Sequence, residues 1–418
     1  MAGAAVAARR GTIREIGSVL RRNPAFARVY AAQVVSFCGD WFATVALLGL
    51  VNDLTHSATL QALIITLQAL PFALISPVAG VVVDHFDRRA LMIIADCART
   101  GLALMLLAVH TRSTLWIAFA CVAGISFLTA FFEPASSAAI PNLVREDDLA
   151  IANLLQGSTW GTMLAVGAAL GGVVTALFGR SAAFIGDAAS FGISAALLST
   201  VVARFQAARD GQGIHVMRNI KEMLAFAREN ARVRALIVVK GGFGIGAGAI
   251  ALIAVMATQV FDSRDTGIGI LMSARGAGAL TGPFIFRRIF GDSNRALFHA
   301  IAVAFATFGL GYVLVGLAPA LWVAAIGVCI AHMGGGTQWA FSTIGLQRFT
   351  PDRIRGRIFS ADYMLVELTS GISILVAGVL ASAFGARGVA IAFASIQVLW
   401  AVLWSALTKR WWPARGER

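Results

Sequence analysis

From about residue 27 to residue 408 the chain alternates long apolar stretches with short polar ones, and the pattern comes round twelve times. A helix that crosses the hydrocarbon of a bilayer needs about 20 mostly apolar residues, and within it every backbone group finds a partner. The stretches near residues 27–51, 58–82, 90–110, 115–136, 153–178 and 181–202, then 235–261, 266–286, 295–316, 320–342, 358–382 and 388–408, all meet that requirement. They predict an all-α, polytopic membrane protein of twelve transmembrane helices. Most gaps are very short, as in LAPA at 317–320, whereas the connection over 203–234 is long. The chain therefore divides into an N-terminal segment (1–26), a six-helix bundle (27–202), a basic linker (203–234), a second six-helix bundle (235–408) and a tail (409–418). Amphipathic spacing over residues 12–22 and in IHVMRNIKEMLAFAREN of the linker predicts two short helices lying on the membrane surface.

Composition agrees with a lipid solvent. Of the 418 residues 58% are hydrophobic and 13% charged, and the mean hydropathy is +0.79, so there is too little polar surface to clothe a water-soluble globule. The net charge of +13 does not indicate nucleic acid, because the Lys and Arg sit in short gaps between apolar runs instead of gathering on one soluble face. Their distribution sets topology instead. Of the 34, only Arg112, Arg180, Arg264 and Arg387 fall in odd-numbered gaps and Arg99, Lys240 and Arg275 within spans; the rest lie at the two ends and in even-numbered gaps. Basic residues stay on the cytoplasmic side, so both termini are expected to be cytoplasmic, in an inner or plasma membrane.

Cys38, Cys97, Cys121 and Cys329 lie in apolar runs without a CxxC pair or a His at ligand spacing, and are expected to be buried thiols. No metal and no organic cofactor is implied. HExxH and GxSxG are absent, so an enzyme is not expected. The glycine clusters GGFGIGAG (241–248), GAALGG (167–172) and GGG (334–336) are read as close helix contacts, and Trp411 and Trp412 as interface anchors.

Eight charges stand out inside the spans: Asp40, Asp96, Arg99, Glu133, Asp187, Lys240, Arg275 and Glu367. Each costs about 2.5–3.5 kcal/mol at a span's centre and needs a partner or a purpose. At about 1.5 Å per residue, Asp40, Arg275 and Glu367 come close to mid-membrane. Asp40 and Glu367 are the candidates for proton uptake and release; Arg275, His332, Gln338 and Trp339 are candidates for lining a cargo cavity. Asp187 is expected to pair with Arg180 near the outer surface, and Lys240 to snorkel to the headgroups.

At residues 80–89 the sequence reads GVVVDHFDRR. It resembles the loop 2–3 signature of the major facilitator superfamily, with Gly80, Asp84, Arg88 and Arg89 matching and His85 standing where the family has Arg or Lys. CGDWFATVAL (38–47), FFEPASSAAIPNLV (131–144), GAALGG (167–172), IGDAASF (185–191) and RIRGRIF (353–359) extend the likeness from about residue 26 to 408 and narrow it to twelve-span drug and siderophore exporters of the enterobactin-exporter and macrolide-efflux type. Within GAALGG, Ala168 occupies the place of a Pro in the antiporter signature, and span four lacks the Arg of many drug-proton antiporters. The resemblance implies two pseudo-symmetric bundles rocking around a cargo site near mid-membrane. It also implies a cytoplasmic gate of Gly80, Asp84, Arg88, Arg89, Asp96, Arg99 and Glu133, with Asp84 facing the start of span eleven and Glu133 pairing an arginine. The expected partners are a small amphipathic cargo, a proton or other coupling ion and the lipid bilayer; nucleic acid is excluded and the chain is expected to act as a monomer. An importer or a lipid flippase on the same scaffold, or a non-transporting receptor, are the alternatives.

Overall fold

Twelve long helices form the body of the protein. The computed structural model describes residues 15–203, 205 and 225–414, so most of the surface helix expected in the linker lies outside the described residues. Among those described, the helices are α1 Pro24–Thr55, α2 Ala58–His85, α3 Arg88–Met105, α4 Leu115–Leu143, α5 Leu149–Phe178, α6 Arg180–Ser199, α7 Ala231–Val260, α8 Arg264–Phe290, α9 Asn294–Leu317, α10 Leu321–Phe349, α11 Asp352–Phe384 and α12 Ala386–Thr408. Eleven of them are long and apolar enough to cross a membrane. The twelfth, α10, is diluted by His332, Thr337, Gln338 and the glycines at 334–336, yet it runs beside α8 and α9 over a comparable length. A further helix over residues 15–22 precedes α1, where amphipathic spacing had predicted it.

Local chemistry fixes several helix ends. The side chain of Ser57 accepts from the Leu60 amide, that of Asp87 from Ala90 and that of Ser293 from Ala296, so α2, α3 and α9 each start on a capped amide. The seventh span is not uniform: Ala231–Gly246 and Gly248–Val255 are α-helical on either side of Ala247, and Met256–Val260 is a π turn. Such turns mark sites of local rearrangement.

The packing repeats. In the first half α1 touches α5 and α6, α3 touches α4 and α6, and α2 touches α4; in the second half α7 touches α11 and α12, α9 touches α10 and α12, and α8 touches α10. Adding six to each helix number carries one set onto the other. Between the halves the same relation holds, because α2 packs on α11 and α5 on α8. The chain is thus two six-helix bundles related by an internal pseudo-two-fold.

Contacts between the bundles gather toward the ends of the helices opposite the chain termini. Thr59 meets Ser382, Gln61 meets Thr258, Thr66 donates to the Gly371 carbonyl and Gln259 to Asn52. Along α5 and α8 the backbones almost touch. A Cβ on Gly276 would lie 2.4 Å from the Ala165 nitrogen, and one on Gly269 would lie 3.0 Å from the Gly172 Cα. Toward the termini the situation differs: Gly80 on α2 and Gly157 on α5 face open space.

At the terminal end the first bundle is tied together on itself. Arg22 pairs with Asp148 at 2.5 Å, and Asn23 donates to the same carboxylate at 2.8 Å. These two partners hold the Asp148 carboxyl below its ordinary pKa, with the Arg22 hydrogen bond the larger cause. A lowered carboxyl contributes stability above its unfolded pKa and loses it as pH falls through the folded one. Replacing Asp148 by Asn should therefore lower the melting temperature at neutral pH, and the gap from the unmodified protein should close below about pH 4. Thermal melts in detergent across pH would check this; a gap constant with pH would contradict it.

The α5–α8 contact gives a second expectation. With a cysteine-free chain carrying Asn52→Cys and Gln259→Cys, whose parent side chains lie 3.2 Å apart, cross-linking should be efficient. Adding Gly276→Val should cost about 1–3 kcal/mol in this conformation by overpacking and reduce the cross-link yield, with folded protein still recovered.

Candidate functional site

Charges meet in two clusters, one inside each bundle. In the first, Arg99 of α3 is 1% exposed and lies between the Phe132 and Phe191 rings, 4.4 and 4.7 Å from their centroids. It pairs with Asp96 one turn below at 2.6 Å, and Ser194 of α6 donates to the other Asp96 oxygen at 2.5 Å. Asp40, Glu133 and Asp187 enter the field of this guanidinium from α1, α4 and α6. One arginine therefore faces four acids. The rings supply the remaining stabilisation, since a desolvated cation over an aromatic face gains about 2 kcal/mol.

The second cluster is centred on Lys240 of α7. Its ammonium is 3.2 Å from Asp362 of α11, donates to Thr343 of α10 at 3.3 Å and sits 3.6 Å above the Trp339 ring. Lys240 and Asp362 are each about 2% exposed. This corrects the expectation that Lys240 snorkels outward: it is held inside by a carboxylate four helices further along the chain, which its sequence position did not single out. Asp362 falls inside the predicted span 358–382, just ahead of the apolar YMLV, and the signal for it was its own charge.

Between these clusters the two halves face each other across partly exposed side chains. Glu367 of α11 is within electrostatic reach of Glu133, Lys240 and Arg275. Tyr363, one turn below Glu367, meets Phe72 of α2 edge-on at 5.8 Å and Trp339 at 5.7 Å, and Trp339 in turn meets Phe243 at 6.0 Å. Arg275 of α8 reaches into the first half, 5.9 Å from the Trp41 ring and 5.4 Å from that of Trp160. No ion pair joins Arg275 to Glu367 among the described residues. His332 is turned away from that space: it is 4% exposed and hydrogen-bonds Tyr312 of α9 at 3.1 Å. Gln338 is 1% exposed with both amide atoms unpartnered.

The motif residues bind within their own bundle. Arg88 donates to the carbonyls of Ala138 and Phe205, and Arg89 to those of Leu198 and Ser199, which fastens the start of α3 to α4 and α6. The side chains of Asp84, Asp352 and Arg353 lie outside the described residues. Asp96 and Arg99 sit in the interior of the bundle, about two to three helical turns past the Arg88 that opens α3.

Asp187 does not meet Arg180, contrary to expectation. Helical rise puts it about 10 Å deeper in α6, where its Oδ1 would be 2.8 Å from a Cβ on Gly39. Arg180 is occupied elsewhere, bridging Asp53 of α1 at 2.8 Å and Asp265 of α8 at 3.0 Å. It clamps the two halves at the end opposite the termini. Cys97 also departs from expectation: it is exposed on the outer face of α3, while Cys121 alone is fully buried; all four thiols are free.

Two partnered charge clusters inside a pseudo-symmetric pair of helical bundles mark an all-α polytopic membrane protein with a charged interior. Residues 19–412 match the MFS_3 family of transmembrane secretion effectors, and the chain belongs to that family, within the major facilitator superfamily. Macrolide efflux protein A of Streptococcus pyogenes is 25% identical over 374 residues, covering 86% of this chain and 90% of that protein. The staphyloferrin A transporter of Staphylococcus aureus is 21% identical over 344 residues, covering 79% and 83%. A solved POT family transporter in complex with 5-aminolevulinic acid shares the fold, with a TM-score of 0.76 at 9% identity, covering 93% of this chain and 96% of that one. The chain is a multi-pass secondary transporter, and its family implies a small-molecule substrate.

The Lys240 correction is directly testable. A snorkelling lysine would tolerate Lys240→Met with little effect. Removing one member of a buried ion pair should instead cost about 3–5 kcal/mol, while Lys240→Met combined with Asp362→Leu should recover much of it. Monodisperse yield and melting temperature in detergent decide between the two.

Proposed function

We propose that the protein is a proton-coupled exporter, moving an amphipathic small molecule out of the cytoplasm across the cell membrane with both termini inside. The observation that carries this reading is a set of carboxylates that have no hydrogen-bond or ion-pair partner among the described residues, Asp40 and Glu133 from one half and Glu367 from the other, with Glu133 and Glu367 within electrostatic reach of each other across the seam between the bundles. An acid left unpaired in a low-dielectric seam exchanges its proton when the seam changes the compartment it opens to. The bundles touch at the end opposite the termini, so the conformation corresponds to one open toward the cytoplasm. Unclamping Arg180 from Asp53 and Asp265 would release that end as the other closes, giving a two-state switch.

Cargo would lie against Trp339, Tyr363, Phe72 and Phe243, whose flat apolar faces suit an amphipathic molecule, with Arg275, Trp41 and Trp160 bounding the same seam. Outward direction and the drug or siderophore character of the cargo rest on the names of the macrolide efflux and staphyloferrin A relatives.

In everted membrane vesicles with an imposed proton gradient, the protein should accumulate a macrolide, and a protonophore should abolish accumulation. Asp40→Asn should eliminate gradient-driven accumulation and leave gradient-independent exchange of cargo. Undiminished accumulation by Asp40→Asn would defeat the coupling assignment.

A further inference from the structure

Asp187 has no role in the reading above, and its surroundings call for one. It lies in α6, 1% exposed, and its Oδ1 has no hydrogen-bond partner. The helices around α6 at this depth are α1, α3 and α5. Helix α5 carries no charged residue along Leu149–Phe178. From α3 come Asp96 and Arg99, already paired with each other at 2.6 Å. From α1 comes Asp40, and its neighbour Gly39 packs so closely that a Cβ there would meet Ser190 and Asp187. Glu133 of α4 completes the set through its interaction with Asp40 and Arg99.

The charge balance is lopsided. A single guanidinium, engaged with Asp96 and flanked by two phenyl rings, serves Asp40, Glu133 and Asp187 as well. Two carboxylates close together in a dry site cannot both ionise, and such a pair gives up its protons in separate steps that belong to the pair. A second observation points to the same place. Ser36 stands one turn below Asp40 on α1, is 1% exposed and has an Oγ without a partner, and Gln33 beyond it has an unpartnered Oε1. Residues 40, 36 and 33 share one face of α1, so these polar atoms run from Asp40 toward the terminal end of the bundle.

We propose that Asp187 is a second proton-holding residue of the transport cycle, sharing one proton with Asp40. The step is a transfer between two carboxyls: the acid of one gives its proton to the carboxylate of the other, and the pair keeps a charge of minus one throughout. Release of that proton, along the face marked by Ser36 and Gln33, leaves the pair doubly ionised only while the site is open to water. Asp187 thus stores the proton where cargo does not reach, and Asp40 passes it to the seam. This inference rests on the proton-coupled reading, but its test does not.

The full-length protein in detergent, labelled with carbon-13 aspartate, should give an infrared band of a protonated aspartic carboxyl at neutral pH that titrates at higher pH. In Asp187→Asn the band should be lost or shifted, in the control Asp53→Asn it should persist, and Asp187→Glu should restore a glutamic band and gradient-driven flux. In vesicles, Asp187→Asn should lose gradient-driven accumulation and flatten its pH profile, with the melting temperature unchanged because the amide keeps the shape. No such band in the unmodified protein, or an Asp187→Asn protein with the same band and pH profile, would overturn the proposal; the first measurement keeps it falsifiable if the variant does not fold. A band that behaves as expected beside flux indifferent to the gradient would leave the shared proton standing and defeat the coupled-export reading alone.

Discussion

Hydrocarbon offers no partner to a charge, and every charged residue inside this protein is placed according to that fact. An isolated ion at a span's centre is costly, and loss of one member of a buried pair leaves its partner exposed to the same penalty. Arg99 with Asp96 and Lys240 with Asp362 meet the constraint by pairing at 2.6 and 3.2 Å, each pair roofed by aromatic rings. The pairs also join helices: Ser194 brings α6 to Asp96, and Lys240 links α7, α10 and α11. Charge neutralisation and bundle assembly are thus one set of contacts.

The same constraint separates the remaining acids. Among the described residues the side chains of Asp40, Glu133 and Glu367 have no such partner; Glu133 and Glu367 lie within electrostatic reach of each other across the two halves, and in the proposed cycle water would enter there by a movement of whole bundles. Close glycine contacts along α5 and α8 permit that movement at one end, because backbones without side chains between them can part and meet again without repacking a core. Arg180 then acts at the rim with Asp53 and Asp265, where partial exposure makes the pairs weaker and easier to exchange than the buried ones.

Most of the fold was legible in the sequence because the signal for a lipid-spanning helix is long and one-dimensional. The twelve apolar runs match twelve helices with ends up to seven residues apart, and the polar interruption of α10 still left its length visible. The site was legible only as a roster of charges. Spacing along a helix reports depth, which placed Asp40, Arg275 and Glu367 near mid-membrane, but it is silent on azimuth and on the neighbouring helix. For that reason Lys240 was read as facing headgroups when it faces Asp362, and Asp187 as meeting Arg180 when it lies beside Gly39. Cys97 fails for the same reason: an apolar run has a lipid face and a protein face, and composition does not distinguish them.

The internal repeat sharpens the question of why the two charge clusters differ. Helix contacts in one half map onto those in the other, yet the first half concentrates acids around one arginine and the second balances one lysine against one aspartate. A symmetric pair of halves can rock without preference for direction or ion. In the proposed proton-coupled cycle, the surplus acid in α1, α4 and α6, set against Glu367 of α11, would make protonation act unequally on the two bundles, and that inequality would let an ion gradient bias a motion that the backbone itself leaves even.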